Sequence, residues 1–450
     1  MLTAARPVRR LVALVLVALA VSLAGPPAWG HPSGSTERVS VSSQAAGGDG
    51  DSVLASVSAN GRYVAFWSLA TTLVAGDTND TSDVFVHDRA TGTTERVSVD
   101  SRERQSVGGD RDGVLDTNFG RPVISGDGRF VAFATSATNL VRRDRNQTVD
   151  VFVRDRVAGT TERVSTAGRG TEANGESARP AISRDGRFVA FDSFADNLAA
   201  GDTNVAKDVF VYDRRAGTTE RISVSGAEEQ TDNSSDSPAI SADGRFVAFA
   251  SSASNLVPGD DDGASDVFLR DRRAGTTDSV SIVTPSLGFG AHSGSPAISA
   301  NGRFVAFDSW EPDLVPDDTN NSFDVFVRDR ATGALQRISV DSAGAEGNDW
   351  SLSPSINANG RYVAFHSFAG NLVAGDGNFD YDVFVHDRAT HTTVRASVRT
   401  DGAEGGVSLG SLNPSISADG QVIAFESEAA LVPEDTEFPV DVFVHNASGS

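Results

Sequence analysis

The apolar residues of this chain fall into short runs of four or five, and the runs recur in a fixed order. One copy reads Ser237-Pro238-Ala239-Ile240-Ser241-Ala242-Asp243-Gly244-Arg245-Phe246-Val247-Ala248-Phe249. A polar loop follows, then Asp266-Val267-Phe268-Leu269-Arg270-Asp271-Arg272 and a Gly-Thr turn. An alternating segment closes the unit, as in Glu220-Arg221-Ile222-Ser223-Val224 of the copy before. The glycine of the first turn marks the phase at Gly61, Gly128, Gly186, Gly244, Gly302, Gly360 and Gly420. The period is roughly 58 residues, longer than the about 40–50 usual for one propeller blade, so each unit carries long loops.

Each unit predicts four strands. In the fourth unit the first is short, over 238–241, and the Asp-Gly after it favours a two-residue type I′ hairpin, whose central residues both need positive φ. The second, over 246–250, is apolar on both faces, as a strand between two neighbouring layers should be. The third, over 267–270, is similar. The fourth, 221–224 in the third unit, alternates like a half-exposed outer strand. Four-stranded units repeated radially give an all-β fold, a seven-bladed β-propeller of antiparallel blades. The last unit stops after its third strand at 441–445, while 36–41 is an orphan fourth strand. Pairing the two closes the ring and removes its free edge.

The first residues read differently. Arg6, Arg9 and Arg10 precede an uncharged apolar run over 11–23, Pro26 and Pro27 break it, and Ala28-Trp29-Gly30 offers small residues to a peptidase. The run is too short for a membrane span, and the pattern is that of a secretory signal peptide cleaved near Gly30. The expected organisation is a signal over 1–30 and one propeller domain over 31–450, secreted and monomeric, with no membrane span. The chain has no cysteine, so disulfides and thiolate metal sites are excluded. Its formal charge of −23 repels nucleic acid and attracts cations or cationic partners. The single lysine among the basic residues, Lys207, reads as coding bias of a GC-rich bacterial sequence.

The Ser-x-Asp-Gly-Arg-Phe-Val-Ala-Phe and Asp-Val-Phe-Val-x-Asp segments resemble TolB-type propeller repeats over nearly the whole chain after residue 30. That resemblance implies the fold. The family includes periplasmic interaction modules, propellers fused to serine peptidases, and polysaccharide lyases, so it leaves the function open. The TolB propeller has six blades and this chain reads as seven, so its partners do not carry over.

Strand order puts the loops between second and third strands on one face, with the loops that lead into the next blade. These loops are long, which makes that face the expected working one. One of them repeats as Asn-Leu-Val-x-Gly-Asp-Thr-Asn-x-x-x-Asp. Its polar triplets are Asp77, Asn79, Asp83; Asp144, Asn146, Asp150; Asp202, Asn204, Asp208; Asp260, Asp262, Asp266; Asp318, Asn320, Asp324; Asp376, Asn378, Asp382; and Asp435, Glu437, Asp441. Oxygens at this spacing suit a hard cation, and calcium tolerates irregular loops, although the distal bidentate glutamate of an EF-hand is missing. The competing reading is turn capping by Asp and Asn. A second acidic set leads into the blades: Asp49 and Asp51, Asp110 and Asp112, Glu172 and Glu176, Asp232 and Asp236, Glu346 and Asp349, Asp401 and Glu404. It reads as a solvated rim around the channel mouth. The loop into the fifth blade carries Leu287, Phe289 and His292 instead.

Catalysis needs residues that break the repeat. His87, His386 and His445 share a third-strand position with Arg154, Tyr212 and Arg270, and read as strand-surface residues. His292, His366 and His391 are scattered, and no zinc-binding histidine pair occurs. Gly406-Val407-Ser408-Leu409-Gly410 matches Gly-x-Ser-x-Gly without the strand-turn-helix context of a nucleophile elbow. Trp350, Arg102, Arg104 and Arg111 lie in loops and suit a binding surface, whereas Trp67 and Trp310 read as core between blades. The reading is therefore a non-catalytic binding or scaffold propeller with a protein or glycan ligand on the long-loop face and calcium in the Asp loops. The alternative is a carbohydrate-active enzyme, a lyase or glycoside hydrolase, with its site at the channel mouth and His292 or His366 as base beside a metal.

Overall fold

The computed structural model describes residues 34–108, 119–260, 263–281, 292–405, 410–436 and 439–447. Residues 1–30, Asp110, Arg111, Asp112, Asp262, Leu287, Phe289, the segment 406–409 and Glu437 lie outside the described residues. Seven four-stranded antiparallel sheets form the seven blades of a propeller. Their innermost strands are Ser52–Val57, Val123–Ile124, Ser177–Ile182, Ser235–Ile240, Ser293–Ile298, Ser351–Ile356 and Ser411–Ile416, which begin blades 1 to 7 in turn. Blade 4 continues outward through Phe246–Ser251, Asp266–Asp271 and Thr276–Ser279.

The Val-Ala-Phe and Val-Phe-Val runs are buried, since each sheet packs a neighbour on both faces. The two central strands of every blade contribute a pair of facing phenylalanines. Phe66 and Phe85 lie 6.0 Å apart and Phe249 and Phe268 likewise, within the favourable range for offset rings.

The phase-marking glycines answer two constraints. Gly128 and Gly244 hold φ of +76° and +72°. A Cβ on them would sit 2.1 Å from the Tyr63 ring and 2.2 Å from the Phe188 ring of the preceding blade. Over these rings in blades 1 to 5 lie two guanidiniums, one from the ring's own blade and one from the next: Arg129 and Arg214 over Phe130 at 4.7 and 4.2 Å, Arg187 and Arg272 over Phe188 at 4.5 and 4.8 Å. Over Tyr362 of blade 6 lies Arg361, because blade 7 has Ala447 at the position of the second arginine. The second arginine also donates to the glycine carbonyl of its own blade and to a fourth-strand glutamate of the blade before, as Arg214 does to Gly186 and Glu162, both at 2.6 Å. Nearer the axis, backbone N–H groups donate from blade to blade around the channel: Gly126 to Arg184, Arg184 to Ala242, Ala242 to Ala300, Ala300 to Ala358, Ala358 to Ala418 and Ala418 to Ala59.

Three expectations need correction. The first turn is not type I′. In this turn of blade 1 Gly61 has positive φ and Asn60 does not, Gly61 N donates to Ser58 O at 2.9 Å, and the Asn60 side chain accepts from Ser58 Oγ and Arg62 N. That side-chain bonding holds Asn60 in ordinary backbone space and gives a type I turn ending on a left-handed glycine. The innermost strands are longer than expected and carry a bulge, in blade 4 between Asp236 and Ala239. The fourth strands begin directly after the glycine of the third turn, at Thr218–Arg221 rather than at 221.

Ring closure follows the expected pairing. Strand β1, Ser35–Arg38, is the outer strand of blade 7, in register Ser35 to Asn446 and Arg38 to Phe443. It is shorter than 36–41: Val39 N still donates to Val442 O, whereas Val41 bridges Gly47 because the chain folds back at 42–46. The Thr36 hydroxyl lies 2.9 Å from His445 Nδ1, and Arg38 pairs with Asp441 at 3.1 Å. Deleting residues 31–43 exposes the edge of blade 7 and removes buried Val39. We expect the melting temperature to fall by at least about 10 °C, or folding to fail; an unchanged melting curve by circular dichroism would refute non-covalent closure.

Candidate functional site

The repeated Asp loops converge on an arginine. In blade 2, Arg163 from the fourth strand places its guanidinium 3.4 Å from Asp144, 3.0 Å from Asp150 and 2.6 Å from Glu172. Arg96, Arg221, Arg337, Arg395 and Arg38 occupy the same position in blades 1, 3, 5, 6 and 7. The asparagine of the triplet donates to the last aspartate, as Asn146 does to Asp150 at 2.9 Å, and a fourth-strand serine, Ser165, adds a bond of 2.5 Å. In blade 4 the arginine position is Ser279, beside a loop carrying Asp260 and Asp266. Among the described residues, three sets bring carboxylate oxygens within 4.8 Å of one another and could hold a metal ion: Asp144, Asp150, Glu172; Asp318, Asp324, Glu346; and Asp376, Asp382, Glu404. Burial and the neighbouring carboxylate raise Asp318 to about 7, and Asp144 and Asp376 to about 6, against the pull of the arginine.

The second acidic set is largely engaged in loop bonding. Asp49 accepts from Thr71 and Thr72, Asp232 from Ser254, and Asp51 from Val440 N, while Glu172, Glu346 and Glu404 join the arginine clusters. Each of these bonds ties the loop that leads into a blade to a neighbouring loop of the same face.

The strongest departure from the repeat sits at the fifth residue of the second strand: Trp67, Ala134, Asp192, Ala250, Asp308, His366 and Glu426, all buried. Bulging of the innermost strand frees a backbone N–H at a left-handed residue, and the fifth-position side chain of the preceding blade accepts it. Asp192 takes Ser237 N at 3.3 Å, Asp308 takes Ser353 N at 2.9 Å, His366 Nδ1 takes Asn413 N at 3.3 Å, and Glu426 takes Leu54 N at 2.5 Å. Trp67 makes a different crossing bond, donating from Nε1 to Gly120 O at 3.2 Å. Burial, with the nearby Arg121 charge, lowers His366 to about 4, so its ring is neutral and suited to accept. Of these residues His366 and Trp67 stood out in the sequence; aligning the seven copies column by column would have exposed the position.

The other histidines and tryptophans need correction too. His87, His386 and His445 are buried rather than on a strand surface, and His87 and His386 place Nδ1 2.9 Å from the hydroxyls of Thr94 and Thr393. Trp67 is core, but Trp310 is 47% exposed. Trp310 stacks with Phe323 at 5.8 Å, Phe323 meets Trp350 edge-on at 6.3 Å, Phe368 N donates to Trp350 O, and Phe368 packs on Tyr381 at 5.3 Å. These rings form one arc across the long-loop face of blades 5 and 6. Carboxylates stand directly beside it in the chain: Glu311, Asp349 and Asp380.

No family model matches the chain, and no curated protein matches it. Solved structures do. An oligogalacturonate lyase in complex with manganese is 13% identical with a TM-score of 0.51, over 93% of this chain and 92% of that one. A prolyl endopeptidase is 14% identical at 0.50, over 87% of this chain and 50% of that one. TolB from Acinetobacter baumannii is 15% identical at 0.40, over 77% of this chain and 63% of that one. The likeness is one of fold. The chain spans under two thirds of that TolB and half of the endopeptidase, and identities this low carry no site chemistry across.

The shifted carboxyls set a pH dependence. Asp318, Asp144 and Asp376 bind protons more tightly folded than unfolded, so their contribution is present below about pH 4 and is lost as pH rises toward 6 to 7. Asp88 and Asp271, held at about 2 by Arg62 and Arg245, contribute above about pH 4 and lose it on further acidification. Melting temperature should therefore peak near pH 4 to 5, and Asp318→Asn should raise it at pH 8 and flatten the alkaline limb. A profile flat from pH 4 to 8, identical in the variant, would contradict this assignment.

Proposed function

We propose that this chain is a secreted, monomeric, non-catalytic binding propeller that engages a cationic segment of a protein partner on its long-loop face. The observation that carries the reading is the aromatic arc of exposed Trp310, Trp350 and Phe368 with half-buried Phe323 and Tyr381, flanked by carboxylates on a chain of formal charge −23. Exposed ring faces beside negative charge suit guanidinium and ammonium groups, and tryptophan is the commonest anchor of such contacts. The test is titration with an arginine-rich peptide, a glutamate-rich peptide and neutral oligosaccharides, followed by tryptophan fluorescence. We expect the basic peptide to bind, weaken with salt, and lose about tenfold affinity or more in Trp350→Ala. Equal binding of the basic peptide by that variant would defeat the proposal, and preference for an oligosaccharide would move it to a glycan.

Calcium enters through the same Asp loops. We propose that the arginine is the working cation of the three carboxylate clusters and that calcium binds only where the arginine is absent. Arg163→Ala should lose stability, by about 3–5 kcal/mol as is typical when one partner of a buried ion pair is removed, and should regain part of it with calcium but not with chelator. A calcium-dependent shift in the unmodified protein would restore calcium as the resident ion.

The enzyme reading rests on His366, Glu426 and Arg121 at the channel mouth. His366 and Glu426 are occupied as acceptors of backbone N–H groups, which favours a structural role. Turnover of any polysaccharide, screened with and without manganese, would reverse that preference.

A further inference from the structure

The axis of the propeller encloses a cavity of about 440 Å³, lined by the second halves of the innermost strands. Its lower end is cinched by the backbone ring from Gly126 to Ala59. Most of the wall is proline, alanine and isoleucine. Among the described residues two charged ones line it, Arg121 and Arg179, and no carboxylate does. Arg179 is neutralised from outside the wall by Asp192 at 3.2 Å and Asp236 at 3.7 Å.

Arg121 is different. It reaches from blade 2 past blade 1 to blade 7, where its guanidinium donates to Pro414 O at 3.2 Å and, at the limit of bonding, to Ala55 O at 3.5 Å. Among the described residues it makes no ion pair, and Glu426, the carboxylate acting on it, is turned to Leu54 N and Asn413 Nδ2. A guanidinium has five donors, and a desolvated charge is costly unless paired. A second group points the same way. Ser56, next in sequence to Ala55, lines the cavity, is 7% exposed, and its hydroxyl has no hydrogen-bond partner. A guanidinium without a carboxylate partner and a spare hydroxyl, in a wall of proline, alanine, isoleucine and serine, match one negative charge on a partly apolar body. Buried Asp192, Asp308 and Glu426 close by disfavour a dianion.

We propose that the axial cavity is a binding site for a monocarboxylate, held by Arg121 and Ser56. This is independent of the aromatic arc and of any partner bound there. The carboxylate could belong to a free small acid or to the C-terminus of a peptide entering from the long-loop face, and the probes separate these sources. The full chain is titrated with propionate, with acetyl-trialanine bearing a free C-terminus, and with the C-terminal amide of that peptide. Calorimetry gives affinity, and Trp67, which bonds Gly120 beside Arg121, gives a local fluorescence signal.

We expect saturable binding of at least one carboxylate and none of the amide. Propionate binding alone identifies a free acid; tighter binding of the peptide acid identifies a chain terminus. Arg121→Met should weaken binding about tenfold or more while leaving the ligand-free melting temperature unchanged or raised, since it removes an unpaired buried charge. Ser56→Ala should weaken it severalfold. Arg121→Lys, which keeps the charge but loses the planar fork, should also bind about fivefold more weakly and serves if the methionine variant does not fold. The site is refuted if no carboxylate saturates, if the Arg121 variants bind as the parent does, or if chloride or phosphate competes as well as a carboxylate, which would mean an adventitious ion only.

Discussion

The fold depends on one repeated junction: a left-handed glycine in each of blades 2 to 7 pressed against an aromatic ring of the blade before, with two guanidiniums over that ring except at Tyr362, which carries Arg361 alone among the described residues. The glycine has no room for a side chain, so the ring can come close; the ring offers its face, so the arginines of two successive blades can share it. Hydrogen bonds to the glycine carbonyl and to a glutamate across the junction then fix the angle between sheets. Successive sheets have no ladder of their own between them, so these contacts, the backbone ring at the axis and the apolar packing of the second and third strands hold blade to blade. The junction from blade 7 to blade 1 departs from the rule, with Val422 facing Gly61 and Gln421 and Asn446 in place of the Arg-Asp pair. It is also the blade completed by β1, so the least regular junction sits where the ring is closed without a covalent link.

Charged residues in a propeller channel invite a catalytic reading, and the bulged innermost strands supply a different one. A bulge turns a residue such as Leu54 or Ser237 to positive φ and strands its N–H. A buried donor without a partner costs roughly 1–3 kcal/mol. Asp192, Asp308, His366 and Glu426 at the fifth position of the preceding second strand remove that cost, and any acceptor of suitable length serves, whereas Ala134 and Ala250 at the same position accept nothing.

The period, the glycines, the four-strand unit and the closing segment were legible in the sequence because each is a local pattern or a count. The turn type was not, because Asn60 and its equivalents bond their own loop instead of adopting positive φ. The buried histidines were misread because residues as different as His87, Arg154 and Tyr212 share their position, and tolerance looked like exposure. Trp310 was misread because its copies include Leu69, Phe194 and Glu428, and only the fold shows that blades 5 and 6 place their aromatics side by side. The Asp loops suggested calcium or turn capping, and in the fold most of them face an arginine. The arginine beside them was invisible because it comes from the fourth strand, at the far end of the unit.

That arginine changes the meaning of the composition. Lys207 is the single lysine among 38 basic residues, and coding bias alone was a sufficient account of it. In the fold, arginine reaches two or three carboxylates at once in the Asp-loop clusters, forks onto Asp88 or Asp213 at the first turn, and lies flat on a ring at the junction. Each task uses the planar guanidinium, and a lysine ammonium, a point charge on a flexible stem, performs none of them equally well. The excess of acid therefore resides in a scaffold whose arginines are mostly committed to internal pairs, and the negative charge left over is concentrated on the outer loops. The acidic outer loops carry an aromatic arc, and Arg121 lies deeper, at the axis, without an ionic partner among the described residues.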